Sequence, residues 1–196
     1  MYNSLSNLIL GFHGCDKETY DNVLHKHESL KTSNNDYDWL GNGIYFWEND
    51  LSRAIDWANS KYEKGNAYVI GAVLNLGYCL NLTDFGSSKV LKNGYEILCA
   101  DYNNASKSLP KNRGKRGNDI LLRDLDCAVV QRIHQFNKEL DKKAYDSVRG
   151  VFTEGNTIYE DSGFMEKTHI QICVTNPNCI KGYFKPLVLN EKFDRV

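Results

Sequence analysis

No two of the six cysteines stand in a C-x-x-C pair, and most of them lie inside apolar runs. Cys15, Cys79, Cys99, Cys127, Cys173 and Cys179 therefore read as buried free thiols of a reducing compartment, not as a zinc site or a disulfide framework. Charge of one sign is also missing. Lys+Arg number 24 and Asp+Glu 25, for a formal net charge of -1, which gives no global pull toward polyanions or membranes. Nor is there a membrane-length apolar run: the longest tract, Tyr68 to Leu82, is interrupted by Gly71, Asn75, Gly77 and Asn81. The N-terminal MYNSLSNLILGF lacks a basic leader and its apolar run is short for a signal peptide, so a cytoplasmic protein without membrane partners is expected. With 196 residues, 41% of them hydrophobic and 25% charged, the chain is expected to fold as a single domain over 1–196.

The densest stretch is Leu40 to Ala58, LGNGIYFWENDLSRAIDWA. Gly41 and Gly43 flank the entry to an apolar run, Ile44 to Trp47, that reads as a strand. Asn49 or Asp50 supplies a helix N-cap. In that helix Leu51, Ala54, Ile55, Ala58 and Tyr62 form the core stripe, and Trp57 falls off it, where it can line a cleft. Upstream, Leu8 to Phe12 reads as a strand that delivers His13 and Gly14 to a strand-to-helix junction, with Asp16 as the next cap.

LGNGIYF followed by SRAIDWA resembles the stretch of poly(ADP-ribose) polymerase-like (PARP-like) ADP-ribosyltransferases that carries the tyrosine of their His-Tyr-Glu triad and, about a dozen residues on, a second aromatic. FHG is similar to the strand that supplies the family's histidine and the glycine after it. The resemblance implies an α+β fold, an ADP-ribosyltransferase-like split β-sheet core with flanking helices and an NAD cleft. It implies that Tyr45 and Trp57 stack on nicotinamide, that Gly14 grips the carboxamide through its backbone, and that His13 holds a ribose hydroxyl. Ser52 would add a hydroxyl to the carboxamide, with its register shifted by one residue relative to the family. Asn66 to Asp84 reads as a long buried strand and resembles the family's strand after the nicotinamide helix.

Farther on, a helix is expected from Gly86 to Ala105 with Val90, Leu91, Tyr95 and Leu98 inward. Ser106 to Asn118 carries Lys107, Lys111, Arg113, Lys115 and Arg116 without an acid and reads either as a solvated mobile loop or as a basic contact for NAD phosphates or a nucleic-acid acceptor. Asp119 is placed to cap the helix that follows, and Ser147 to Phe152 reads as a strand.

Thr168 to Val174 alternates, with Ile170, Ile172 and Val174 on one face and His169, Gln171 and Cys173 on the other. With CIKGYF after it, this segment resembles the family's terminal strands and puts Gln171 where the triad glutamate stands, a His-Tyr-Gln variant. A glutamine keeps a hydrogen bond but brings no charge, so polymer elongation is not expected and mono-ADP-ribosylation remains. A carboxylate can come instead from the preceding loop, which holds Glu154, Glu160 and Glu166, and Glu154, directly after a strand, has the best-defined position. The resemblance thus implies an NAD-dependent mono-ADP-ribosyltransferase with catalytic residues His13, Tyr45, Gln171 and Glu154, NAD as substrate, no metal, and a protein or nucleic-acid acceptor. An NAD glycohydrolase and a binding module without turnover remain as alternatives.

Overall fold

The structure, a computed structural model, describes residues 8–116 and 119–187. Its elements in chain order are β1 (Ile9–Cys15), α1 (Lys17–His25), β2 (Ile44–Glu48), α2 (Leu51–Lys61), β3 (Tyr68–Leu74), β4 (Cys79–Asn81), α3 (Ser87–Asn104), β5 (Arg113–Arg116), β6 (Asp119–Leu122), α4 (Asp124–Glu139), β7 (Ser147–Phe152), β8 (His169–Val174) and β9 (Ile180–Phe184). Seven strands form one sheet in the order β4-β7-β8-β2-β1-β3-β9, and β5 and β6 make a separate hairpin. The pairings in the sheet are antiparallel except β4 with β7. The result is a mixed α+β fold with helices flanking a multi-stranded sheet.

Local chemistry sets the ends of these elements. The Asp16 carboxylate accepts from the Thr19 N–H at 2.7 Å and starts α1, and Asp50 accepts from the Arg53 N–H at 2.9 Å and starts α2. Asn49, at φ 50°, turns the chain between β2 and that cap. β1 runs past Phe12 through His13 and Gly14 to Cys15, because β3 pairs with it along its whole length, from Ile9↔Leu74 to Cys15↔Tyr68. His13 is therefore a strand residue and not a junction residue.

The long strand expected from Asn66 to Asp84 is two strands on distant parts of the sheet. Gly77, at φ 59°, bends the chain between them, while the Asn75 side chain accepts from its N–H and the Asp146 carboxylate accepts from the Tyr78 N–H. Asp119 does not cap α4. That helix begins five residues later, at Asp124, with the Asn112 side chain accepting from the Leu125 and Asp126 N–H groups. Nor is 106–118 one loop: Arg113 to Arg116 pair with Asp119 to Leu122, while residues 117 and 118 lie outside the described residues.

Two clusters of buried side chains pack on the sheet. One joins Phe46, Ile70, Leu74, Ile172 and Val174 to Tyr20 and Val23 of α1. The other joins Leu40, Leu80, Val148 and Cys173 to Leu98 of α3 and Val129, Val130 and Ile133 of α4. A smaller cluster under α2 holds Phe12, Trp47 and Ala54, with Trp57 packed against it.

This last cluster corrects the expected stripe: Ile55 faces solvent and Trp57 turns inward. The reason is Gly14. A Cβ there would lie 2.8 Å from the Trp57 ring and 3.0 Å from the Ala54 carbonyl oxygen, so α2 seats its Ala54–Trp57–Ala58 surface on bare backbone. Tyr95 on α3 is likewise more exposed than its spacing predicts, while Leu98 is buried as expected and Gly94 is buried beside it. The cysteines are free thiols and all are buried except half-buried Cys99. Among the described residues no helix is long and apolar enough to cross a membrane.

Candidate functional site

β1 and β2 are neighbours, yet they pair at only two positions, Gly11↔Glu48 and Phe12↔Trp47. Past Phe12 they diverge while each keeps its other neighbour, β3 for β1 and β8 for β2. In the gap the His13 imidazole donates from Nδ1 to the Tyr45 carbonyl oxygen at 2.8 Å, so a side chain satisfies a backbone acceptor where the ladder stops. A cleft of about 520 Å³ opens at this split. His13, Gly14, Tyr45, Trp57, Glu154 and Gln171 all line it.

Ser52 is not among them. One residue past Leu51, it lies on the exposed outer surface of α2, beside Asp56, Glu166 and Lys167 in a different depression. Of the three loop acids only Glu154 lines the cleft. The Glu166 carboxylate instead accepts from the Asn156 N–H at 3.0 Å, and Glu160 is exposed.

The Tyr45 hydroxyl is fully engaged. It accepts from the Leu40 N–H at 2.9 Å and donates to the Gly41 carbonyl at 2.6 Å, and burial raises its pKa well above the usual tyrosine value. It can serve a ligand only through its ring. Tyr45→Phe is expected to lower stability by about 1–3 kcal/mol, because it strands the N–H of buried Leu40. Chemical denaturation checks this. Trp57 leans on Trp47 with ring centroids 5.4 Å apart, and the Lys61 ammonium lies 4.5 Å from its ring centre.

Glu154 is held by Arg53, whose Nη2 donates to its Oε2 at 2.8 Å, with both side chains nearly buried. Arg53 also reaches Asp56 at 3.0 Å. Sequence reasoning missed this arginine, Trp47 and His169. Arg53 Nε and Trp47 Nε1 are buried donors without a partner among the described residues, both in cleft-lining side chains. His169, 4% exposed, donates from Nδ1 to the Lys167 carbonyl at 2.7 Å, and its Nε2 lies 3.1 Å from the Gln171 amide nitrogen. The period-two spacing of 169 and 171 was a signal that could have found it.

Burial lowers the pKa of His13, His134 and His169. For His13 the bond to Tyr45 opposes the shift and Lys61 adds to it, and for His169 the Lys167 carbonyl and Glu154 oppose it while Arg53 adds to it. A histidine with a depressed folded pKa takes up its proton first in the unfolded chain. Stability is thus full above the unfolded value of about 6.5 and falls as pH drops below it. Asp16, Asp56 and Asp146, whose pKa values are also lowered in the fold, add loss in the same direction at lower pH. The melting temperature is expected to fall steadily from pH 7 to pH 5, and a flat profile would contradict the burial of these rings.

Fold and cleft together define a mixed α+β protein whose sheet opens between two central strands. No family model matches the chain. Over 189 residues it is 28% identical to an uncharacterized protein of Methanocaldococcus jannaschii, an alignment that covers 87% of this chain and 83% of that one.

Proposed function

We propose that the chain binds NAD in the cleft and cleaves its nicotinamide glycosidic bond, transferring ADP-ribose to a macromolecular acceptor. One observation carries this reading. Residues from five separate segments, selected by resemblance to PARP-like transferases, line one cavity: His13 and Gly14, Tyr45, Trp57, Glu154 and Gln171. On this reading the divergence of β1 from β2 corresponds to the split sheet of that family.

The residues fit the substrate. Gly14 offers backbone without a Cβ to a carboxamide, and the Tyr45 and Trp57 rings supply faces for a planar heterocycle. His13 donates through Nδ1, so in its neutral form Nε2 is an acceptor for a ribose hydroxyl. Arg53, Lys31 and Lys61 line the same cavity and suit a pyrophosphate, and the orphaned Arg53 and Trp47 N–H groups want acceptors. In the reaction the bond pair of the C–N bond leaves with nicotinamide. The acceptor's heteroatom forms the new bond to ribose, and its proton passes to Glu154. Gln171 stands beside the scissile bond as a neutral acceptor, which disfavours chain elongation and supports a single transfer.

A macromolecular acceptor is supported by the β5–β6 hairpin. The Asp119 carboxylate accepts from the Gly155 N–H at 3.0 Å, and the Leu121 carbonyl accepts from the Trp39 indole at 3.0 Å. These bonds hold the hairpin, whose first strand is the end of the basic segment, beside Glu154 at the rim of the cleft. The second reading, an NAD-binding module without turnover, is favoured by the glutamine at 171 and by the engagement of Glu154 with Arg53.

The test uses NAD labelled in the adenylate half, following free nicotinamide and label on added protein and RNA, with Trp57→Ala beside it. Nicotinamide release that the variant loses is the expected result. Label staying in solution would make the protein a hydrolase. NAD bound without release would leave the binding module, and no NAD bound in a titration would end the proposal.

A further inference from the structure

Gln171 and His169 are two residues apart on β8 and share one face of the strand. The Lys167 carbonyl lies 2.7 Å from His169 Nδ1, and a carbonyl only accepts, so the proton of the neutral ring is on Nδ1. That leaves a lone pair on Nε2. The Gln171 side chain approaches it at 3.1 Å, and only an amide N–H can satisfy it. The carboxamide oxygen is thereby left over, and it takes no hydrogen bond among the described residues. The ring itself has little freedom. Phe152 stands opposite it in the β7–β8 register with centroids 6.0 Å apart, and the Trp39 ring stacks near it at 6.4 Å.

We propose that His169 is a positioning residue that fixes which end of the Gln171 carboxamide serves the cleft, so that this glutamine functions only beside a neutral histidine. The inference rests on the cleft being an NAD transferase site. With His169 neutral, the Gln171 oxygen is the end available to a ribose hydroxyl and to positive charge developing at the ribose carbon. Once Nε2 carries a proton it donates, so the amide must turn its oxygen to the ring and its NH2 to the cleft, a donor dipole set against that positive charge.

The same geometry accounts for the amide at this position. A glutamate at 171 would set a carboxylate against the Nε2 lone pair, and the ring would have to take up a proton and cancel the carboxylate's charge. The charged groups around the ring are Glu154, 3.6 Å from Nδ1, Arg53 and Asp50 at the start of α2, the neighbouring Lys167, and Arg123 stacked 4.2 Å over Trp39. Burial outweighs the acids and keeps the ring neutral at neutral pH.

The experiment takes the full chain with its five histidines labelled with 15N, reads tautomers by NMR from the couplings across each ring, and assigns His169 by its loss in His169→Gln. Expected is a neutral His169 with its proton on Nδ1, which in Gln171→Glu becomes charged, its titration moving up to or above the ordinary histidine value. A proton on Nε2, or a titration unmoved by Gln171→Glu, overturns the proposal. Neither reading needs NAD, and a separate NAD titration reports failure of the transferase reading by itself. In turnover, wild-type kcat/KM is expected to fall about tenfold for each pH unit below the His169 pKa. In His169→Gln, which presents an acceptor that does not titrate, the acid limb should become shallower, leaving the part set by His13 and Glu154, while kcat at neutral pH is retained. An identical acid limb in both proteins would assign it to another group and defeat the proposal.

Discussion

Glu154→Gln is expected to cut nicotinamide release or ADP-ribose transfer by about 100-fold or more while leaving the Kd for NAD within a few-fold. Glu154 is the loop carboxylate that lines the cleft together with Gln171, and the amide at 171 cannot supply a charge. The variant keeps the shape of the side chain and a hydrogen-bond acceptor for Arg53 Nη2. On the proposed reading, what it removes is the negative charge that stabilises a cationic ribose and takes the acceptor's proton. Arg53 keeps Asp56 at 3.0 Å, so the loss in stability should be modest, about 2 kcal/mol at most for a pair that retains some contact with solvent. Single-turnover kinetics and an NAD titration on the same preparation separate the effects. If kcat is unchanged, Glu154 serves only to hold Arg53 in place. If binding collapses together with turnover, its role lies in building the cleft.

Glu154 also marks how far the cleft was legible in the sequence. Its position just after a strand is a local property, and locally set features came through: the caps at Asp16 and Asp50 and the turn before β2. The one-sided burial expected of β8 did not, because the sheet is covered on both faces and His169 and Cys173 are buried as well. Its partner Arg53 is 101 residues away, on the solvent-side spacing of an amphipathic helix, and nothing local reveals that a loop will descend onto it. Ser52 failed for the converse reason. A one-residue shift on a helix rotates a side chain by about 100°, enough to move this hydroxyl from the cleft to the outer surface.

Trp57 lines the cleft as expected, but Ile55 left the core stripe because the Trp57 ring packs between Ala54 and Ala58 onto the bare backbone of Gly14, and periodicity counts hydrophobicity without seeing the space a glycine leaves. Asp119 was a plausible cap by type, but its carboxylate serves the Gly155 N–H across the fold. The break between β3 and β4 depends on Asp146, far along the chain. In each case the missing information was the identity of a distant partner.

A second large effect is expected at Arg149. Its guanidinium grips Glu48 with two bonds, Nε to Oε2 at 2.5 Å and Nη2 to Oε1 at 2.8 Å, while Nη1 reaches Asn81 at 3.2 Å and Thr83 at 2.8 Å. β8 runs between their strands: its Ile172 pairs with Arg149 of β7 on one side and with Phe46 of β2 on the other. The pair therefore spans a strand and ties the β4–β7 edge of the sheet to β2. Glu48 is also the partner of Gly11 at one of the two positions where β1 and β2 still meet. The clamp sits where the sheet is closed, just before it opens into the cleft.

Arg149→Met should cost about 3 kcal/mol, since it leaves the nearly buried Glu48 carboxylate without its counter-charge, and the 13–14% exposure of the two side chains keeps the effect toward the low end for such pairs. Glu48→Met together with Arg149→Met should be less damaging than Arg149→Met alone, because the stranded charge is gone. Chemical denaturation of the two single variants and the double variant gives the coupling directly. Additive costs would mean that the bidentate contact does no more than an exposed ion pair. Strong coupling would identify it as the brace that holds β2 in place while β1 diverges.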